Sequence, residues 1–185
     1  NLAASNLSNV YASNKFNHFV RVTNDPEQPY VTVVVKDNLV TGIPASNGGI
    51  ANIMLLWNIK SANVNGNVIA LTDGNQHQAI NVSKMDKNAM VSVNGNKISG
   101  ANGGIYVTTW LCGGSDLDFT GSVDIYGNSL TDVVKPIFVG YEAEGHGAFN
   151  GTLIDNNNTN NGVPVAVEVG QKPGSTEYYT VTVVS

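Results

Sequence analysis

Ile53-Met54-Leu55-Leu56-Trp57 is an unbroken apolar run. Such a run is buried on both sides if it is a strand, or all round if it is a short core helix. Asn and Gly crowd its neighbourhood at Asn47, Gly48, Gly49, Asn52 and Asn58, and they favour the strand. Outward from it, apolar residues alternate with polar ones, Val and Thr are frequent, and Gly or Asn interrupts almost every run. The chain therefore reads as all-β. Strands are expected at 16–23, 30–36, 50–61, 67–72, 78–83, 89–93, 105–112, 118–126, 133–142, 148–154, 163–169 and 178–184. Asn65-Gly66, Asn94-Gly95, Asn102-Gly103-Gly104 and Gly127-Asn128 mark tight turns at positive φ, which predicts many short hairpins.

About a dozen strands at regular spacing, without helices between them, predict one two-sheet β-sandwich, immunoglobulin-like or jelly-roll. The sandwich spans 16–185 and follows an extended arm at 1–15. No composition break marks a linker, and the polar stretch 155–162 reads as an exposed loop tip. The 185 residues hold 26 Asn, 20 Gly and 42% apolar side chains, enough to build a core and too many for a disordered chain. Nine basic and 14 acidic side chains leave a net charge of −5, without the Lys/Arg cluster that successive phosphates require, so nucleic acid is not an expected partner. No apolar run is long enough for a signal segment or a bilayer span. Asn1 in place of Met gives the expectation of a processed, secreted chain. Cys112 is the single cysteine and has no intrachain partner. Asn6, Asn81, Asn150 and Asn157 head Asn-x-Ser/Thr acceptor sequences for N-glycosylation.

The two ends suggest assembly. Leu2, Ala4, Val10 and Ala12 occupy even positions, so an extended arm would present them on one side as a donor strand. At the other end Tyr179, Val181 and Val183 alternate with polar partners in a strand able to complete a sheet. Asp118-Phe119-Thr120-Gly121-Ser122-Val123-Asp124-Ile125 and Glu177-Tyr178-Tyr179-Thr180-Val181-Thr182-Val183-Val184 resemble strands of secreted fimbrial subunits. The resemblance implies an incomplete sandwich completed by a neighbour's strand, and a homopolymeric extracellular filament. A carbohydrate-binding adhesin or lectin domain, meeting cell-surface glycans through exposed aromatics beside Asn or Asp in a concavity, is the second expectation. A viral jelly-roll coat or fibre protein is the third.

No nucleophile motif accompanies His18, His77 and His146, so no enzyme and no cofactor are expected. Glu142, Glu144 and His146 would share one side of a continuous strand, although Gly145 and Gly147 flank the imidazole. Asp25 and Glu27, and Asp116 and Asp118, offer the hard oxygen ligands of a structural calcium. Trp57 and Trp110 read as core. Tyr126, Tyr141, Tyr178 and Tyr179 remain candidates for surface aromatics.

Overall fold

A residue in the left-handed region precedes an Asn at five points: Asp37-Asn38, Gly66-Asn67, Gly95-Asn96, Gly127-Asn128 and Asn157-Asn158, with φ of 55°, 63°, 60°, 63° and 55° at the first of each pair. Gly, Asn and Asp tolerate this conformation best, and it turns the chain sharply. In a computed structural model describing residues 20–22, 31–43, 52–71, 77–108, 121–140, 152–170 and 182–184, each of these corners joins two strands that lie in different sheets.

The chain winds in successive coils. The first carries β1 (Val20–Val22), β2 (Val31–Lys36) and β3 (Leu39–Ile43). The second carries β4 (Asn52–Asn65) and β5 (Val68–Leu71), and the third β6 (Gln78–Asn94) and β7 (Lys97–Ser99). β8 (Gly103–Thr108), β9 (Ser122–Tyr126) and β10 (Ser129–Thr131) form the fourth. The fifth has β11 (Lys135–Gly140), β12 (Thr152–Asn156) and β13 (Thr159–Asn160), followed by β14 (Val163–Pro164). β15 (Glu168–Val169) and β16 (Thr182–Val184) begin the sixth. Hydrogen bonding gives a ten-stranded and a six-stranded sheet. The larger one folds where the β4–β6 register shifts between Ile59 and Ser61, β6 holding residues 86–89 where β4 has Lys60 alone. Three parallel faces result, and the architecture is a β-solenoid. Face A holds β1, the first half of β4, the first half of β6, β8, β11 and β15. Face B holds β2, the second halves of β4 and β6, β9, β12 and β16, while face C holds β3, β5, β7, β10 and β13.

Inward side chains stack in columns about 4.8 Å apart, the spacing of hydrogen-bonded strands. Met54, Ile80, Ile105 and Ile137 line face A in register, as do Leu56, Val82, Val107 and Val139. Val35, Val64, Val93 and Ile125 do so on face B, and Val40, Ile69, Ile98 and Leu130 on face C. All belong to one buried core. A fully buried aliphatic side chain is worth about 1.5–3 kcal/mol, so these columns dominate the stability.

The corners add a second column. Asn38, Asn67, Asn96, Asn128 and Asn158 are 6%, 0%, 0%, 1% and 2% exposed, at intervals of 29, 29, 32 and 30 residues. Each of the first four donates from Nδ2 to the Oδ1 of the next, at 2.8, 2.9, 2.9 and 2.8 Å. Its backbone N–H donates to the same oxygen at 2.9–3.1 Å. The remaining amide proton of Asn67, Asn96, Asn128 and Asn158 reaches back to the carbonyls of Val35, Val64, Val93 and Ile125. A polar side chain buried in each of the first five coils thus takes its partners mainly from the coils on either side, with Asn38 also donating to Lys36 O of its own coil.

This overturns the expected two-sheet sandwich, whether immunoglobulin-like or jelly-roll, and with it the jelly-roll coat. The turn signals were read as hairpins between antiparallel neighbours, but a positive-φ residue serves a corner between sheets equally well. One antiparallel pair occurs among the described residues: β13 and β14 flank Asn161-Gly162, with φ of 53° and 75°, as a two-residue hairpin requires. The stretch 155–162, expected as a loop tip, holds the end of β12, the last Asn corner, β13 and the start of this hairpin. Ile53 to Leu56 are each 0–2% exposed, as a strand buried on both sides demands.

Candidate binding groove on face B

Residues alternating with the core positions of face B point outward. Three outward rows cross the first four coils in register: Thr32, Ser61, Met90 and Ser122; Val34, Asn63, Ser92 and Asp124; Lys36, Asn65, Asn94 and Tyr126. The first two rows line a groove of about 320 Å³. Val34, Met90 and Tyr126 are 41%, 69% and 43% exposed, three of the six large apolar side chains exposed among the described residues.

Local hydrogen bonds orient the polar groups. Ser61 Oγ donates to Thr32 Oγ1 at 3.0 Å, Asn65 Nδ2 to Asn63 Oδ1 at 3.0 Å, and Asn94 Nδ2 to Ser92 Oγ at 2.8 Å. Asn63 Oδ1 and Ser92 Oγ are therefore engaged as acceptors by the third row, and the Asn63 amide and the Ser92 hydroxyl keep protons to donate. Asp124 supplies an acceptor, and partial burial raises its carboxyl above the ordinary 3.8. Lys36 and Asp124 are the only charged residues in the three rows. The arrangement offers donors, an acceptor and apolar surface in one concavity that is nearly uncharged.

The outer side of face A differs. Leu55, Asn81, Tyr106 and Phe138 share one outward row and are 2–7% exposed. Tyr106 and Phe138 rings lie 5.1 Å apart, inclined by 34°, and Lys135 Nζ sits 5.5 Å over Phe138 while pairing with Glu168 at 3.2 Å. A Cβ on Gly103 would fall 2.3 Å from the Tyr106 ring, so the glycine makes room for the tyrosine. Asn81 Nδ2 donates to Asn52 Oδ1 and Gln78 Oε1, both at 3.0 Å, whereas Asn81 Oδ1 and Ser83 Oγ are buried without a hydrogen-bond partner.

Of the sequence-derived candidates, Asn81 is thus buried with its amide engaged, and Asn157 is exposed at the fifth corner. Val183 lies in β16 opposite Leu153. Leu2, Ala4, Asn6, Val10, Ala12, Asp25, Glu27, Asp116, Asp118, Asn150, Tyr179 and Val181 lie outside the described residues, as do His18, Cys112, Glu142, Glu144 and His146. Among the described residues no three His, Cys, Asp or Glu side chains gather as a metal site, and no helix is long and apolar enough to cross a membrane. Tyr126 was singled out in the sequence. Ser61, Asn63, Ser92 and the Asn ladder were not; the signal for the ladder is the recurrence of Asp, Gly or Asn before Asn at intervals near 30 residues. The chain matches no protein-family model, no curated protein and no solved structure.

Proposed function

We propose that this chain is a secreted, non-enzymatic carbohydrate-binding module that meets glycans through face B. One observation carries the reading: Val34 and Met90 are exposed in a groove whose polar lining is Thr32, Ser61, Asn63, Ser92, Ser122 and Asp124, with Tyr126 exposed in the row beside it. Sugars present apolar C–H patches beside hydroxyls, and a site for them needs apolar or aromatic surface next to a few oriented donors and acceptors. The test is a glycan array probed with the full chain and with Met90→Ser/Tyr126→Ala. Binding by the parent that the variant loses, with an unchanged circular dichroism spectrum, is the expected result. A silent array rejects the proposal.

A filament of copies joined end to end is a second reading. It is favoured by β15 and β16, which extend faces A and B beyond β11 and β12 and each have one ladder neighbour among the described strands, whereas β14 closes face C in the antiparallel sense. Strand donation into an incomplete sandwich is not its mechanism, because there is no sandwich to complete. Light scattering across a concentration series, followed by electron microscopy, tests for such growth; a mass that stays monomeric at every concentration excludes it.

A further inference from the structure

We infer that the ligand of the face B groove is an uncharged, extended polysaccharide whose chain runs along the solenoid axis across the first four coils. The inference rests on the carbohydrate-binding reading and adds a direction and a ligand class to it.

The direction follows from the register. Val34, Asn63, Ser92 and Asp124 occupy the same outward position in consecutive coils. With about 4.8 Å between neighbouring strands, the row is about 14 Å long, while the two rows lining the groove are only about 7 Å apart along the strands. The concavity is therefore elongated along the axis, and each coil advances by nearly the length of one sugar unit in an extended chain. Successive units meet successive coils. Asn63 and Ser92 donate to hydroxyls in the middle, Met90 and Val34 cover C–H patches, and Asp124 with Tyr126 closes the fourth coil.

The class follows from the charges. A polyuronate or sulfated chain would face the Asp124 carboxylate, whereas the one cation in the three outward rows, Lys36, stands at the far end of them in the first coil. A neutral chain needs no counter-charge and uses the donors and the acceptor alike.

The experiment is calorimetric titration of the full chain with β-1,4-linked glucan and mannan oligomers of one to six units, and with oligogalacturonates of matched length. Affinity should rise by about tenfold from two to four units and then level off, with the uronates at least about tenfold weaker. Val34→Ser in the first coil and Asp124→Ala in the fourth should each weaken the four-unit ligand, because one chain touches both. Affinity independent of length, or sensitive to only one of the two coils, overturns the axial direction while the carbohydrate reading stands. Tighter uronate binding overturns the neutral class. If no oligomer binds and the glycan array is silent as well, the carbohydrate reading itself fails.

Discussion

Replacing Asn96 by Ala should be among the most damaging single changes outside the aliphatic core. Asn96 sits in the middle of the corner ladder and is fully buried. Its side chain makes four hydrogen bonds: it donates to Val64 O and Asn128 Oδ1, and accepts from Asn67 N and Asn67 Nδ2. Truncation removes all four and strands the Asn67 donors where water does not reach. With about 1 kcal/mol for each bond lost and more for a buried donor left unpaired, the expected cost is about 3–5 kcal/mol. Asn38→Ala is the internal comparison. Asn38 Nδ2 donates to Lys36 O and Asn67 Oδ1, and no described residue donates to its Oδ1, so about 1–2 kcal/mol is expected. Asn96→Asp should be at least as damaging as the alanine, since a carboxylate there faces the acceptors Val64 O and Asn128 Oδ1 with no proton to give. Urea unfolding followed by circular dichroism reads these differences: for a slope of about 2 kcal/mol/M, the midpoint falls by about 2 M for Asn96→Ala and by less than about 1 M for Asn38→Ala. Equal shifts at the two positions, or a loss below about 1 kcal/mol at Asn96, would refute the ladder as an energetic unit.

Gly104→Ala should destabilise by about 2–3 kcal/mol in the same assay, because the new Cβ would lie 2.3 Å from the backbone oxygen of Pro136 and 2.5 Å from Leu130 Cδ2; an unchanged midpoint would mean that coils four and five are not packed this closely. Burial raises the Asp124 carboxyl in the folded chain, so the stability associated with its protonated form is fully present below the unfolded value near 3.8 and is lost as pH climbs through the higher folded value. Asp124→Asn should therefore raise the midpoint at pH 7 and leave it unchanged near pH 3, and equal effects at both pH values would contradict the assignment. Deleting residues 67–95 removes one whole interval between Asn67 and Asn96, and should leave a folded, shorter solenoid with the same β spectrum, since Met54 then meets Ile105 and Val64 meets Ile125; an aggregated or unfolded product would show that the coils are not interchangeable.

The all-β class was legible in the sequence, and so were strands of face B, because Val91 and Val93 flank Ser92, and Val123 and Ile125 flank Asp124. Positive φ at Gly66, Gly95 and Gly127 was legible too. Face C was largely missed. Leu39–Ile43, Lys97–Ser99, Ser129–Thr131 and Thr159–Asn160 are strands of two to five residues that follow a turn signal at once, and Lys97–Ser99 and Ser129–Thr131 present a single buried aliphatic each. Propensity over so short a window cannot outweigh the reading of a loop. Parallel order was missed for a different reason: Asn-Gly reads as a hairpin turn unless the recurrence of a buried Asn near every 30 residues is noticed first. The groove was beyond local reading altogether. Ser61, Asn63, Ser92 and Asp124 become neighbours only through the register, and separately each is an ordinary polar residue on a strand.

The Asn ladder has a further property. Every amide from Asn38 to Asn128 gives a proton toward the higher-numbered coil, and every one from Asn67 to Asn158 takes protons at Oδ1 from the lower one, so the five side chains form a directional file. Its dipoles add along the axis instead of cancelling, and the two ends of the file are chemically unlike: at the Asn38 end Oδ1 takes no proton from any described residue. A coil placed before the first can continue the file only by offering a donor to that oxygen. An inverted copy would bring oxygen against oxygen. Any lengthening of this molecule, by gene duplication or by contact between copies, therefore has a built-in sense, and a mixed-polarity stack is disfavoured at the corner before the apolar columns come into register.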